Sequence, residues 1–180
     1  LNENGIIHLG RLLNASINAV TIASISLGCY FWYKFVEDRL HPESEKSRIL
    51  QLIINAPIVI IVLLDAVSIF TKWMFYIDSE NHYDVGRFFV IQTVVNYIYL
   101  VIPTVNSIIR ALKTKSKLQK SEYGTYAIYM AAPLVSGFLE DYVPTAPILA
   151  LNIFLVIHIL FLTIQNMQIY NDSLTDLNNR

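Results

Sequence analysis

Ile148-Leu-Ala-Leu-Asn-Ile-Phe-Leu-Val-Ile-His-Ile-Leu-Phe-Leu-Thr-Ile164 holds no charged residue. A helix of this kind, started by Pro147 at its first position, is suited to crossing a bilayer of about 30 Å hydrocarbon thickness. The run then turns polar without a break, Gln165-Asn-Met-Gln-Ile-Tyr-Asn171, so the same helix can continue into water. It closes on Asp172-Ser-Leu-Thr-Asp-Leu-Asn-Asn-Arg180.

Four more apolar runs lie upstream. The expected spans are residues 12–33, 49–71, 88–109, 123–139 and 147–167. The fold class they define is an all-α integral membrane bundle, five transmembrane helices with a short external β-hairpin. Composition agrees: the chain is 54% hydrophobic and 15% charged, against roughly 25% charged in soluble domains. A net charge of −1 without a basic stripe excludes a nucleic-acid partner. The single cysteine, Cys29, excludes an internal disulfide framework and reads as a small buried hydrophobe. The polar opening residues lack the basic segment of a cleavable signal peptide.

The spans differ in character. The first carries Asn14, Ser16, Asn18, Thr21, Ser24 and Ser26, and repeats small residues at Ala15, Ala19 and Ala23. Small residues allow close backbone approach and polar side chains bond across helices, so this span belongs inside the bundle. Tyr30, Phe31, Trp32 and Tyr33 should close it as an interfacial belt. Residues 36–48 read as a solvated charged connector. The second span contains Pro57, which removes a helix hydrogen bond, and Asp65. A central intramembrane carboxylate costs about 2.5–3.5 kcal/mol on insertion scales, so Asp65 should face protein or water. It is either a proton- or cation-responsive group or a partner for Lys72.

Residues 72–87 place aromatic and β-branched residues on both sides of Asp78-Ser-Glu-Asn81, the pattern of a hairpin ended by Gly86. Trp73, Tyr76, Asp78, Asn81, His82, Tyr83 and Arg87 can form either an external ligand site or a packed lid. The third span carries Gln92, Asn96, Pro103 and Asn106. A basic loop over residues 110–120 comes next. The fourth span has only seventeen uncharged residues between Glu122 and Glu140, the lower limit for crossing. His158 reads as a bundle residue or as a titrating or metal-binding group. No serine–histidine–carboxylate set, phosphate loop or zinc pattern is present.

Five spans put ten lysines and arginines on one side and three on the other. The excess belongs to the cytoplasm. The C-terminus is therefore expected inside the plasma (inner) membrane, and the loop over residues 72–87 outside.

Asp172, Leu174, Thr175, Leu177, Asn179 and Arg180 match, at its spacing, the opening motif of the GGDEF (diguanylate cyclase) domain, with Asp176 where the family often has Gly. Phe75-Tyr-Ile-Asp78, Asn81, Tyr83, Gly86-Arg87, the Pro-rich approach to the last span and Ile164-Gln-Asn166 also resemble the multi-span input region ahead of GGDEF domains in Firmicute-type bacterial proteins. The resemblance divides the chain into a membrane sensor at residues 1–170 and a linker with the first GGDEF residues at 171–180. It implies a seven-span bundle with two spans upstream, and a fragment trimmed at both ends. It also implies a homodimer through the last helix, a small-molecule or membrane signal, and relay by the Asp172–Arg180 motif. The missing domain would join two GTP into cyclic di-GMP with Mg. The segment Gly-Gly-(Asp/Glu)-Glu-Phe is absent, so this stretch alone should have no catalytic residues, metal or cofactor. The other readings are a small transporter or channel lined by Asn14, Asn18, Asp65, Gln92 and Asn96, and the input domain of a histidine kinase.

Overall fold

The computed structural model describes residues 10–41 and 47–140, and residues 154–156, 158, 159, 161, 162 and 165 of the last stretch. Four long helices and one hairpin appear in the order α1 (Arg11–Leu40), α2 (Arg48–Thr71), β1 (Phe75–Ile77), β2 (Tyr83–Val85), α3 (Phe89–Lys113) and α4 (Lys117–Glu140). Among the described residues, α1, α2 and α3 are long and apolar enough to cross a membrane. The expected fourth span lies within α4, which also takes in the charged stretch from Lys117 to Glu122 and does not meet that criterion. The described residues of the last stretch are helical. The remainder of the fifth span and the Asp172–Arg180 motif lie outside the described residues.

Two helices run further than the charge pattern suggests. Charge alone closes the first span at Tyr33, yet α1 continues to Leu40. Cys29, Tyr33, Val36 and Leu40 are all buried. Their 4-3-4 spacing carries one apolar face past the charges of Lys34, Asp38 and Arg39. The supposed connector is therefore helical up to Leu40, and Trp32 and Tyr33 are buried instead of forming an outer belt. In the same way α3 extends through Arg110 and Lys113, whose charges suit a helix C-terminus. The basic loop shrinks to Thr114-Lys115-Ser116, and Ser116 Oγ accepts from Gln119 N at 3.4 Å as α4 begins.

The exposed and buried faces of α2 invert the usual soluble pattern. Val59, Leu63 and Phe70 face outward, Phe70 with 80% of its surface exposed. The buried set mixes Ile58 and Ile61 with Asp65 and Ser68. A helix that shows hydrocarbon outside and polar groups inside suits lipid surroundings.

Contacts divide the chain into two compact units, residues 1–103 and 104–180. In the first, α1 packs on α2 and both receive β1. Near Pro57, two phenols bond α2: Tyr99 donates to the Ile54 carbonyl at 2.6 Å and Tyr30 to Asn55 Oδ1 at 2.8 Å. The rings of Tyr30 and Tyr99 meet edge-on, with centroids 5.6 Å apart. In the second unit, Ser107, Tyr126, Met130 and Val156 are buried. Tyr126 donates to Glu122 Oε1 at 2.6 Å within α4.

The hairpin is antiparallel, pairing Phe75 with Val85, Tyr76 with Asp84 and Ile77 with Tyr83. It is reached through Lys72, which ends α2 in the left-handed region at φ 60°. Gly86 comes directly after β2, and its N–H donates to the Met74 carbonyl at 2.8 Å. A Cβ at Gly86 would press on the backbone of Trp73 and Met74, which cannot yield as a side-chain tip would. Gly86→Ala is therefore expected to destabilise the fold by about 1–3 kcal/mol. A fall in Tm of roughly 2–10 °C in thermal unfolding of the detergent-solubilised chain checks this.

Candidate functional site

Two polar constellations stand out, one at the hairpin and one where α1, α2 and α3 meet.

The hairpin is clasped onto the start of α1. Its apolar residues Met74, Phe75 and Ile77 form a buried cluster with Ala15 and Ala19, flanked by Ile22, Leu64, Ile69 and Tyr83. Two small residues of the first span, Ala15 and Ala19, thus seat the hairpin on a helix that also packs against α2. Arg11 Nη2 donates to the Ile77 carbonyl at 3.1 Å. Asn14 Nδ2 reaches the Asn81 carbonyl at 3.0 Å and Asn81 Oδ1 at 3.1 Å. Asn18 Nδ2 supports Asn14 by donating to its Oδ1 at 2.7 Å. By contrast Ser16, Thr21 and Ser24 donate to carbonyls one turn back in α1. That local bonding explains how a span so rich in hydroxyls needs only part of its polar set inward.

The turn is built by Asp78. Its Oδ1 accepts from the N–H groups of Glu80 and His82, each at 2.8 Å. Asn81 takes φ 70°, a left-handed conformation that Asn tolerates better than most residues. The hydrogen bond from the His82 N–H, helped by Glu80 N–H and the nearby His82 ring, holds the Asp78 carboxyl below the usual carboxylate range. Tyr76 donates to Asp84 Oδ2 at 2.6 Å, and that bond pushes its phenol up. Phe75 and Tyr83 stack, with ring centroids 6.0 Å apart. Trp73 meets Phe88 edge-on, and the Arg87 guanidinium lies 5.8 Å from the Phe88 ring centre. Each candidate ligand residue of the loop thus has a contact within the hairpin or its base.

The second constellation centres on Asp65, which is 0% exposed. Gln92 Nε2 donates to Asp65 Oδ2 at 2.9 Å and to Ser26 Oγ at 2.8 Å, with a longer approach of 3.4 Å to the Ile22 carbonyl. One amide therefore joins α1, α2 and α3. Asp65 takes Gln92 as its partner, and Lys72 serves as the C-cap of α2.

Sequence reasoning missed Ser26 as a member of the Asp65 junction and Arg11 as part of the clasp. The available signal was helical spacing: Gln92 and Asn96 are one turn apart on α3, and Asn14 and Asn18 one turn apart on α1. The polar residues of the channel reading fall into two groups. Asn18 and Ser26 are eight residues apart on α1, roughly 12 Å along the axis. His158 stacks on Phe154 at a 6.2 Å centroid distance and is exposed. Among the described residues, no group of three or more His, Cys, Asp or Glu side chains could hold a metal ion.

Comparisons with family models, with curated proteins and with solved structures find no match to the chain.

The hairpin yields two testable outcomes. Asn14→Ala removes both bonds to Asn81, a loss of about 1–3 kcal/mol. Limited proteolysis should then cut residues 78–84 faster while far-UV circular dichroism stays unchanged. Because the folded Asp78 carboxyl titrates below its unfolded value of about 3.9, its stabilising contribution is complete above that value. It is lost as pH falls through the lower, folded value. Between about pH 5 and pH 2, the Tm of the unmodified chain should fall further than that of Asp78→Asn.

Proposed function

We propose that the chain is the membrane input portion of a signalling protein that controls a GGDEF-type diguanylate cyclase beyond Arg180. The observation that carries this reading is the Asp172–Arg180 motif, placed directly after an apolar run able to cross a membrane. In this reading five spans embed the chain in the inner membrane, the hairpin faces outward, and the C-terminus enters the cytoplasm where GTP is found. The lysine and arginine distribution supports that orientation.

The clasped hairpin supports a sensor role. A ligand or membrane change that loosens the hairpin also loosens the bonds from Arg11 and Asn14, and so acts on α1. The last helix then carries the change to a catalytic pair in a homodimer, through Asp172, Leu174, Thr175, Leu177, Asn179 and Arg180. A signal can bias that arrangement only if it binds the two states with different affinity. The missing domain would use GTP and Mg.

The test combines topology and cross-linking in a Cys29→Ala background. Ser79→Cys should react with a membrane-impermeant maleimide from outside intact cells. Asn178→Cys should react only after permeabilisation. Cysteines placed singly along residues 165–171 should form disulfide-linked dimers with a helical periodicity. Outward labelling of Asn178→Cys, or cross-links at none of these positions, defeats the proposal.

A further inference from the structure

The hydrogen bonds at the junction of α1, α2 and α3 leave oxygens unused. Gln92 directs both amide hydrogens to Asp65 Oδ2, Ser26 Oγ and the edge of the Ile22 carbonyl. Asp65 Oδ1 and Gln92 Oε1 are buried and have no hydrogen-bond partner among the described residues. Covalent geometry keeps each of them within one carboxylate or amide width of the bond that joins the two side chains. Asn96 Oδ1, one turn along the same face of α3, is a third buried oxygen without a hydrogen-bond partner.

Gln92 is 1% exposed and Asp65 fully enclosed. The side chain that hydrogen-bonds Asp65 is the uncharged amide of Gln92. Its own helix has no other acid or base between Arg48 and Thr71. The titratable groups nearest along the neighbouring helices are Cys29 and Tyr30 after Ser26, and Tyr97 and Tyr99 after Asn96. The junction therefore combines one carboxylate with two free acceptor oxygens, hydrogen-bonded among the described residues to uncharged groups, and Asn96 Oδ1 adds a third free acceptor one turn along α3.

We propose that Asp65 Oδ1, Gln92 Oε1 and Asn96 Oδ1 bind a monovalent metal cation, of which Na⁺ is the representative. Hard cations take oxygen ligands, and carboxylate and amide carbonyl oxygens are the types they prefer. One carboxylate balances one positive charge, whereas a divalent ion would leave charge uncompensated in an apolar interior. A proton on Asp65 Oδ1 is the poorer occupant, because it can be donated to only one of the two remaining oxygens. A metal ion can meet all three. Because its ligands come from α2 and α3, and Gln92 is in turn bonded to α1, occupancy of the site tightens the packing of all three helices. Cation binding at this junction is independent of any domain beyond Arg180.

The test uses the full chain in lipid nanodiscs at constant ionic strength, with choline chloride exchanged for NaCl. Tm should rise saturably, by about 5–10 °C at one hundred times the dissociation constant. Asp65→Asn should abolish the rise. Asn96→Ala, at a partly exposed position, should weaken the apparent Na⁺ affinity at least five-fold even if Asp65→Asn does not fold. Broadening of the ²³Na resonance by the unmodified chain, reversed in Asn96→Ala, gives a second readout. A Tm that tracks pH but ignores Na⁺ assigns the site to a proton and overturns the proposal. So does a Tm indifferent to both, or a Na⁺ response that survives in both variants.

Discussion

Asp65 is a carboxylate enclosed in a surface otherwise suited to hydrocarbon, and three helices arrange themselves around that fact. Burying such a group is tolerated only with partners that replace water. Gln92 is long enough to reach it from α3 and, with its second hydrogen, to hold Ser26 on α1. Lipid gives helices little hydrophobic reason to associate with one another, so shared polar bonds of this kind supply specificity that apolar contacts do not. The outward faces can then be almost any mixture of leucine, isoleucine, valine and phenylalanine.

The hairpin extends the same logic to the end of the bundle. It places Met74, Phe75 and Ile77 against Ala15 and Ala19, where small side chains leave room for larger ones. Its edge is tied by Arg11 and by the Asn14 pair. Ser68 links the hairpin to α2, accepting from Met74 N at 3.0 Å while donating to the Leu64 carbonyl at 2.6 Å. Polar junction and clasped hairpin thus share α1 and α2.

Helix positions and the hairpin turn were legible because each rests on local chemistry. Long apolar runs mark α2 and α3, and Asp78 with Asn81 mark the turn. Helix ends were less legible. Charge at Lys34, Glu37 and Asp38 suggests a loop, but the burial of Val36 and Leu40 depends on what packs against them, which no local pattern records. The polar junction was half legible: an intramembrane Asp65 announces itself, whereas its choice of Gln92 over the nearby Lys72 is a tertiary matter. Ser26 looked like one of several interchangeable hydroxyls on α1. Only the fold distinguishes it from Ser24, which bonds the Val20 carbonyl of its own helix.

The length of α1 has a mechanical consequence. Thirty residues make a rod of about 45 Å, half as long again as the roughly 30 Å hydrocarbon layer. Leaning alone cannot hide the surplus, since matching the two lengths would need a slope steeper than the roughly 40° that spanning helices reach. In a bilayer, part of such a rod would extend past the hydrocarbon into the polar headgroup layer, where the exposed Asp38 and Arg39 are chemically at home. One continuous helix therefore carries both the seat of the hairpin, at Ala15 and Ala19, and the charged turn at Asp38 and Arg39.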